Sequence, residues 1–143
     1  MSFEFLDHTA DTQVRIKGAD AEELFREATR ALLAVFVAGP EGSPVLPGAS
    51  IRVKLEAENG EALLVDFLNE LIFLFDTQQF LSADFEVSAL KLEAPSSLEG
   101  ALKGEVYDPA RHVVKTEIKA ATFHGMEIKR TESGLEAEVV FDL

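Results

Sequence analysis

EALLVDFLNELIFLF, residues 61–75, is apolar around most of the circumference that a helix would give it. Only Asp66, Asn69 and Glu70 interrupt the apolar run inside this stretch, and they form a polar stripe that is either solvated or hydrogen-bonded. At about 1.5 Å per residue the helix is too short to span a bilayer, and it carries charges, so we expect a core helix. A helix that is apolar on most sides must be covered on more than one side. The stretch therefore predicts helices sandwiched between β layers.

A first helix is predicted upstream of this stretch. Asp20 and Glu23 stand at the spacing of a capping box, in which the two side chains satisfy the first free amides of a helix. The helix should run to about Val37, because Gly39-Pro40 then stops it. Its apolar residues repeat at helical spacing, as expected for one buried face: Leu24, Phe25, Ala28, Leu32 and Phe36.

Most of the remaining chain alternates apolar and polar residues, which is typical of half-buried strands. A loop rich in proline and glycine is expected over 39–48, and Ser133-Gly134 is expected to form a tight hairpin. The overall prediction is an α+β fold: one domain over residues 1–143, with two apolar helices between β-sheets of mostly antiparallel strands. Strands are predicted over 3–6, 12–17, 51–55, 85–93, 101–107, 113–121, 126–130 and 135–143.

Composition limits the classes of function. The chain has 143 residues, 47% of them hydrophobic and 27% charged, which is the balance of a globular domain. It has no cysteine, and Met1-Ser2-Phe3-Glu4 lacks the features of a secretion signal, so we expect a cytoplasmic protein. The net charge of −13 would repel phosphates, so direct nucleic-acid binding is not expected. The composition and the short, charged helix over 61–75 give no reason to expect membrane association. A basic partner would be attracted, although the charge could also serve solubility alone.

Two aspartates mark the opposite ends of the chain. Asp11 closes the tetrad His8-Thr9-Ala10-Asp11, and Asp142 precedes the last residue, Leu143, at the end of a predicted strand. If the fold brings both ends together, these two side chains and the terminal carboxylate of Leu143 form a cluster of three oxygen anions. Such a cluster is self-repelling unless it holds a hard cation, for which calcium or magnesium is suited.

Three further residues are candidates near this cluster. His8 lies three residues before Asp11, where its imidazole could donate to the carboxylate or could cap the Thr9-Ala10 turn. Lys119 could neutralise nearby carboxylates or contact an anionic ligand, or it could be an ordinary surface lysine. His124 is expected to be a partly buried structural histidine. The spacing of His8, His112 and His124 does not favour a zinc site.

Several motifs together carry a family resemblance that spans the chain in the right order. The chain resembles the archease family in four motifs: His8-Thr9-Ala10-Asp11 after Phe5-Leu6-Asp7, Glu22-Glu23-Leu24-Phe25, Lys119-Ala120-Ala121-Thr122-Phe123-His124 and Phe141-Asp142-Leu143. The tetrad combined with an aspartate at the penultimate position makes the resemblance specific.

The resemblance implies a function and a ligand set. It implies a non-catalytic partner of the GTP-dependent tRNA-splicing ligase RtcB, which promotes guanylylation of that enzyme, allows multiple turnovers and broadens its use of nucleotides. It also implies a divalent metal site, with calcium as the expected ion and magnesium or manganese as possible ones. The implied ligands are Asp11, Asp142 and Leu143. Leucine stands here where isoleucine is common in the family, and main-chain oxygens make that exchange unimportant.

Two other classes of function stay open at this point. A metal-dependent hydrolase could use the same carboxylates to activate water, but it would also need a general base and a substrate pocket, which the sequence does not reveal. A chaperone-like interaction module could use its apolar helices as an adhesive surface. The capping and strand patterns instead predict that those helices are buried.

Overall fold

The computed structural model describes residues 2–6, 11–37, 44–122 and 127–143. Within these ranges the chain forms two helices, α1 (Ala21–Phe36) and α2 (Gly60–Gln78), and eight strands. The strands, in chain order, are β1 (Ser2–Leu6), β2 (Asp11–Gly18), β3 (Ala49–Ala57), β4 (Phe80–Lys91), β5 (Ser96–Val106), β6 (Ala120–Thr122), β7 (Ile128–Thr131) and β8 (Gly134–Asp142).

The strands form two antiparallel sheets. Sheet A has the order β1-β2-β8-β6, with β7 also paired to β8, and sheet B has the order β3-β5-β4. Helix α1 contacts β2 of sheet A and β4 of sheet B, while α2 contacts β6 of sheet A and all three strands of sheet B. Both helices therefore lie between the two sheets, and the predicted α+β sandwich is confirmed.

Helix α2 has the two-sided burial that its sequence predicts. Phe67 is fully buried, and its ring packs against Phe25 of α1 and Phe85 of β4, at centroid distances of 5.3 and 4.7 Å. Asn59 caps the helix by accepting a hydrogen bond from the amide of Ala62. Among the described residues, no helix is long and apolar enough to cross a membrane.

Helix α1 begins where the capping motif predicts. The Asp20 side chain accepts a hydrogen bond from the amide of Glu23 at 2.9 Å, and the helix ends at Phe36, one residue before the expected end. Arg26 donates from both Nε and Nη2 to the carboxylate of Asp84 on β4, which fixes α1 against sheet B in a bidentate ion pair.

The sequence misplaced several strand boundaries. The predicted strand over 113–121 is wrong for most of its length, because strand geometry is confined to β6. The preceding backbone instead reaches the end of α1: Val114 bridges Val37, and the amide of Lys115 donates to the carbonyl of Phe36. Strands β4 and β5 each start five residues before the predicted positions, at Phe80 and Ser96.

The predicted hairpin turn and part of the predicted loop lie within the described residues. The β7–β8 hairpin is present, although its pairing of Thr131 with Gly134 places Glu132 and Ser133 in the turn. Gly134 has φ +141°, a conformation that glycine adopts without strain. In the predicted loop over 39–48, residues 44–48 are irregular and the rest lie outside the described residues.

Two phenylalanines of α2 provide a test of this packing. Phe67→Ala should lower the free energy of unfolding by about 3–5 kcal/mol, because it leaves a cavity between three elements. Phe73→Ala is the matched control on the same helix: Phe73 is 56% exposed, so its truncation should change stability by no more than about 0.5 kcal/mol. Urea unfolding of both variants measures the difference. Equal losses would contradict the burial of α2 between the sheets.

Candidate functional site at the acidic tip

The structure brings the two end aspartates together. Strands β2 and β8 pair antiparallel in a continuous register from Gly18–Leu135 to Asp11–Asp142, so the two aspartates face each other directly across the strand pair. Directly opposed residues of an antiparallel pair have Cβ atoms about 4.5–5.5 Å apart. We call Asp11, Asp142 and Leu143 the acidic tip of sheet A.

Both aspartates project from the same face of the sheet. Val14 and Ile16 of β2, with Val139 and Phe141 of β8, are fully buried against the helices. Side chains alternate between the faces of a strand, so the odd-numbered residues of β2 and the even-numbered residues of β8 lie on the outer face. The tip carboxylates therefore point away from the helices; both aspartates are half-buried, and Leu143 is 41% exposed.

Strand β6 flanks the tip on the side away from Asp11. Ala120 pairs with Asp142 in the β6–β8 ladder, and the amide of Lys119 donates to the main-chain carbonyl of Asp142 at 2.8 Å. Asp142 thus lies between β2 and β6, and its backbone is held from both sides. Lys119 has an exposed side chain beside the tip, so both alternatives stay open: a charge-neutralising residue and an ordinary surface lysine.

The nearest cation along β2 is engaged by other carboxylates. Arg15 donates to Glu138 of β8 from Nε and Nη2 and to Glu4 of β1 from Nη1, and hydrogen bonding to Glu138 raises the pKa of the Arg15 guanidinium. Gln13 also donates to Glu138. This network joins β1, β2 and β8 on the outer face. The charge of Arg15 is therefore engaged by Glu4 and Glu138, several residues away from the tip.

The donor set of the tip fits a hard divalent cation. Two carboxylates at the distance of a cross-strand pair repel each other by about 3 kcal/mol, if they lie about 5 Å apart in an effective dielectric constant of about 20. A cation between them would replace that repulsion by attraction, and calcium and magnesium both prefer oxygen ligands. Within the described ranges no group of three or more Asp, Glu or His side chains is arranged to hold a metal, and a main-chain oxygen of Leu143 stays the expected third ligand of the tip.

Two candidates from the sequence lie outside the described residues. They are His8, with its proposed donation to Asp11, and His124. His112 is described and is 2% exposed, and it lies in a turn that contains other polar groups.

A second cluster of titratable groups surrounds His112. Its Nδ1 accepts a hydrogen bond from the amide of Asp108 at 2.9 Å, its ring stacks on Tyr107, and its Nε2 lies 3.5 Å from Glu105 Oε2. Burial lowers the pKa of His112, and the charge of Arg111 lowers it further. Glu105 also binds Arg111 and accepts from the amide of Leu46, so the cluster joins two loops. These contacts hold the turn that contains His112 and the loop that contains Leu46 together, which is a structural role.

Sequence reasoning missed the specific contact of one polar residue near the tip. Asn69 belongs to the polar stripe of α2, which the sequence left as solvated or hydrogen-bonded. In the structure its Nδ2 donates to the carbonyl of Ala121 at 3.1 Å and its Oδ1 accepts from the amide of Ala121 at 2.8 Å. A lone amide in an apolar helix was the available signal, but the sequence does not identify the strand that it binds.

Fold and tip together define a class of small α+β protein, in which two helices fill the space between two antiparallel sheets and an aspartate pair closes one sheet end. The family model of the Archease protein family (MTH1598/TM1083) matches residues 3–143. The chain belongs to the archease family.

Individual relatives agree with this assignment. A protein from Methanopyrus kandleri named Protein archease is 37% identical over 145 residues, covering 100% of both chains. The solution structure of Methanobacterium thermoautotrophicum protein 1598 has a TM-score of 0.75 and 33% identity, covering 99% of this chain and 98% of that one. A Thermotoga maritima crystal structure, described as an archease and possible chaperone, has a TM-score of 0.61 and 26% identity, with coverages of 96% and 94%.

The His112 cluster predicts a pH effect on stability. Since the folded pKa of His112 is below its unfolded value of about 6.5, its contribution to folding is complete above about pH 6.5 and is lost as the pH falls towards the folded pKa. Protonation of Nδ1 would also break the hydrogen bond from Asp108. His112→Asn keeps an acceptor near that position but cannot titrate, so its free energy of unfolding should fall less between about pH 7.5 and pH 5.5. Parallel curves for both proteins would contradict the prediction.

Proposed function

We propose that the acidic tip binds a divalent cation, expected to be calcium, and that through it the protein acts as a non-catalytic activator of the GTP-dependent tRNA-splicing ligase RtcB. The observation that carries the proposal is the direct pairing of Asp11 with Asp142 on the outer face of sheet A. Family membership supports the choice of partner, because the resemblance to archeases implies that ligase.

Each residue of the tip would supply oxygen ligands to the cation. Asp11 and Asp142 would hold the cation from two neighbouring strands, and a main-chain oxygen of Leu143 would complete the protein's share. Calcium takes about 6–8 oxygen ligands, so this set leaves positions for water or for a group of the partner. The cation would supply positive charge at the point of contact, and the sheet would keep the carboxylates in a fixed orientation. Magnesium or manganese could occupy the same donors.

The location of the tip suits contact with a second protein. It lies at the end of a sheet, and its side chains point away from the helices. The net charge of −13 would draw the protein towards a basic surface, which an RNA-binding enzyme presents, and would disfavour direct nucleic-acid binding. A ligase that uses GTP and tRNA works where both are present, so a cytoplasmic location is part of the proposal.

A chaperone-like role is the second candidate, because the Thermotoga maritima relative is described as a possible chaperone. Binding of unfolded chains needs a continuous apolar surface. In the described ranges six large apolar side chains are exposed, and Phe73 is the one among them that belongs to a helix: Phe5, Leu46, Phe73, Val106, Val113 and Leu143. The apolar surface of α2 is mostly buried, so the activator role is better supported.

The first test replaces the tip carboxylates with amides of the same shape. Asp11→Asn and Asp142→Asn should each weaken calcium binding at least about tenfold, because each removes a charged oxygen ligand. Each should also abolish stimulation of ligase guanylylation. Calorimetric titration with calcium and a guanylylation assay with GTP measure the two effects. Asp76→Asn, an exposed carboxylate at the end of α2, is the matched control and should behave as wild type.

The outcomes of this test separate the candidate functions. Full stimulation by Asp142→Asn would refute the role of the tip, and a chaperone effect through apolar surface would survive in that variant. Turnover of nucleotides or phosphoesters by the protein alone, lost in both tip variants, would favour the metal-dependent hydrolase.

The second test concerns electrostatic attraction to the partner. Raising the salt concentration from about 0.05 to 0.5 M should slow association with the ligase, because the Debye length shortens and the attraction is screened. Stopped-flow or surface-based kinetics measure the association rate. A rate that does not depend on ionic strength would contradict steering by the acidic surface.

A further inference from the structure

Strand β6 is a short strand at the edge of sheet A, and the side chain of a helix residue lies beside it. It has three residues, Ala120–Thr122, and among the described residues β8 is the one strand that pairs with it. An edge strand presents unpaired amides and carbonyls on its outer side. In this structure, the outer side of β6 meets the side chain of Asn69 on α2.

Asn69 binds this edge as a further strand would. Its amide group donates to the carbonyl of Ala121 and accepts from the amide of the same residue. This is the paired donor and acceptor exchange of two opposed residues in an antiparallel ladder. The side chain therefore completes the hydrogen bonding of Ala121, and it does so from a helix whose other face is buried in the core.

The segment that Asn69 contacts also binds the backbone of Asp142 in the acidic tip. Ala120, beside Ala121, pairs with Asp142, and the amide of Lys119 donates to the carbonyl of Asp142. A displacement of β6 would therefore remove the support of the Asp142 backbone on the side away from Asp11. Helix α2 is held between the two sheets, so it is a rigid base for this support.

We propose that Asn69 is a positioning residue for the acidic tip: by clamping β6 to α2 it fixes the Asp142 backbone in the geometry that binds the cation. The inference rests on the proposed function for its cation-binding consequence. The clamp itself rests on the hydrogen bonds of Ala121 and Lys119.

The test uses two variants and a matched control. Asn69→Asp has the same shape and keeps the acceptor for the amide of Ala121, but it places an oxygen against the carbonyl of Ala121. Asn69→Ala removes both hydrogen bonds. Glu61→Ala is the control, because the carboxylate of Glu61, also on α2, accepts from the amide of Ile128 on β7. Strand β7 pairs with the opposite end of β8, where Ile128 faces Ala137.

Amide hydrogen exchange, measured by NMR on the whole protein without added metal, reports the clamp. In the Asn69 variants the amides of Lys119 and Ala121 should exchange about tenfold faster relative to that of Val139 in the core of the sheet. Glu61→Ala should accelerate Ile128 and leave Lys119 unchanged. Unchanged exchange at Lys119 in both Asn69 variants would overturn the inference, while the selective acceleration would support it.

Calcium titration then tests the consequence for the tip. Asn69→Asp should weaken calcium binding about tenfold, and Glu61→Ala should not. Wild-type affinity in Asn69→Asp, despite faster exchange at Lys119, would overturn the positioning role. Failure of the wild-type protein to bind calcium would overturn the proposed function but not the clamp, because the exchange comparison involves no cation.

Discussion

The register between β2 and β8 is the constraint on which the site depends. Val14 pairs with Val139, and Ile16 pairs with Ala137, so the buried residues of both strands face the same helices. A shift of one residue would turn these side chains to the outer face and expose the apolar set to water. The hydrophobic effect thus fixes the register, and the register places Asp11 opposite Asp142. The core, rather than any attraction between the aspartates, holds two like charges together.

Helix α2 links that core to the end of the sheet. Its apolar residues fill the space between the sheets, and Phe67 joins α1 to sheet B. The same helix carries Asn69, whose amide completes the edge of β6. Helix α2 thus buries most of its own surface in the core and makes a specific polar contact through Asn69. A buried helix is suited to this, because its side chains have little freedom to move away from the strand that they contact.

The sequence predicted the layers well because they follow from local patterns. The apolar run over 61–75 showed a helix that must be covered on two sides, and the alternation after Ser133 showed the last strand. Local patterns say less about which distant segment a residue contacts. The residues after Val113 have the composition of a strand, but their backbone groups meet α1, so no long strand forms. The same limit applies to Asn69: its position in a stripe was visible, but its contact with Ala121 depends on how distant elements pack.

The position of β8 in sheet A has a consequence for how the protein folds. This strand follows every other element in the chain, yet it pairs with β2, β6 and β7, and its partners on β2 lie more than a hundred residues earlier. Pairing between such distant segments is slow, since a large loop must close before contacts reward it. During synthesis, β1 and β2 leave the ribosome before β8, so we expect the apolar face of these two strands to be prone to aggregation until β8 has been made.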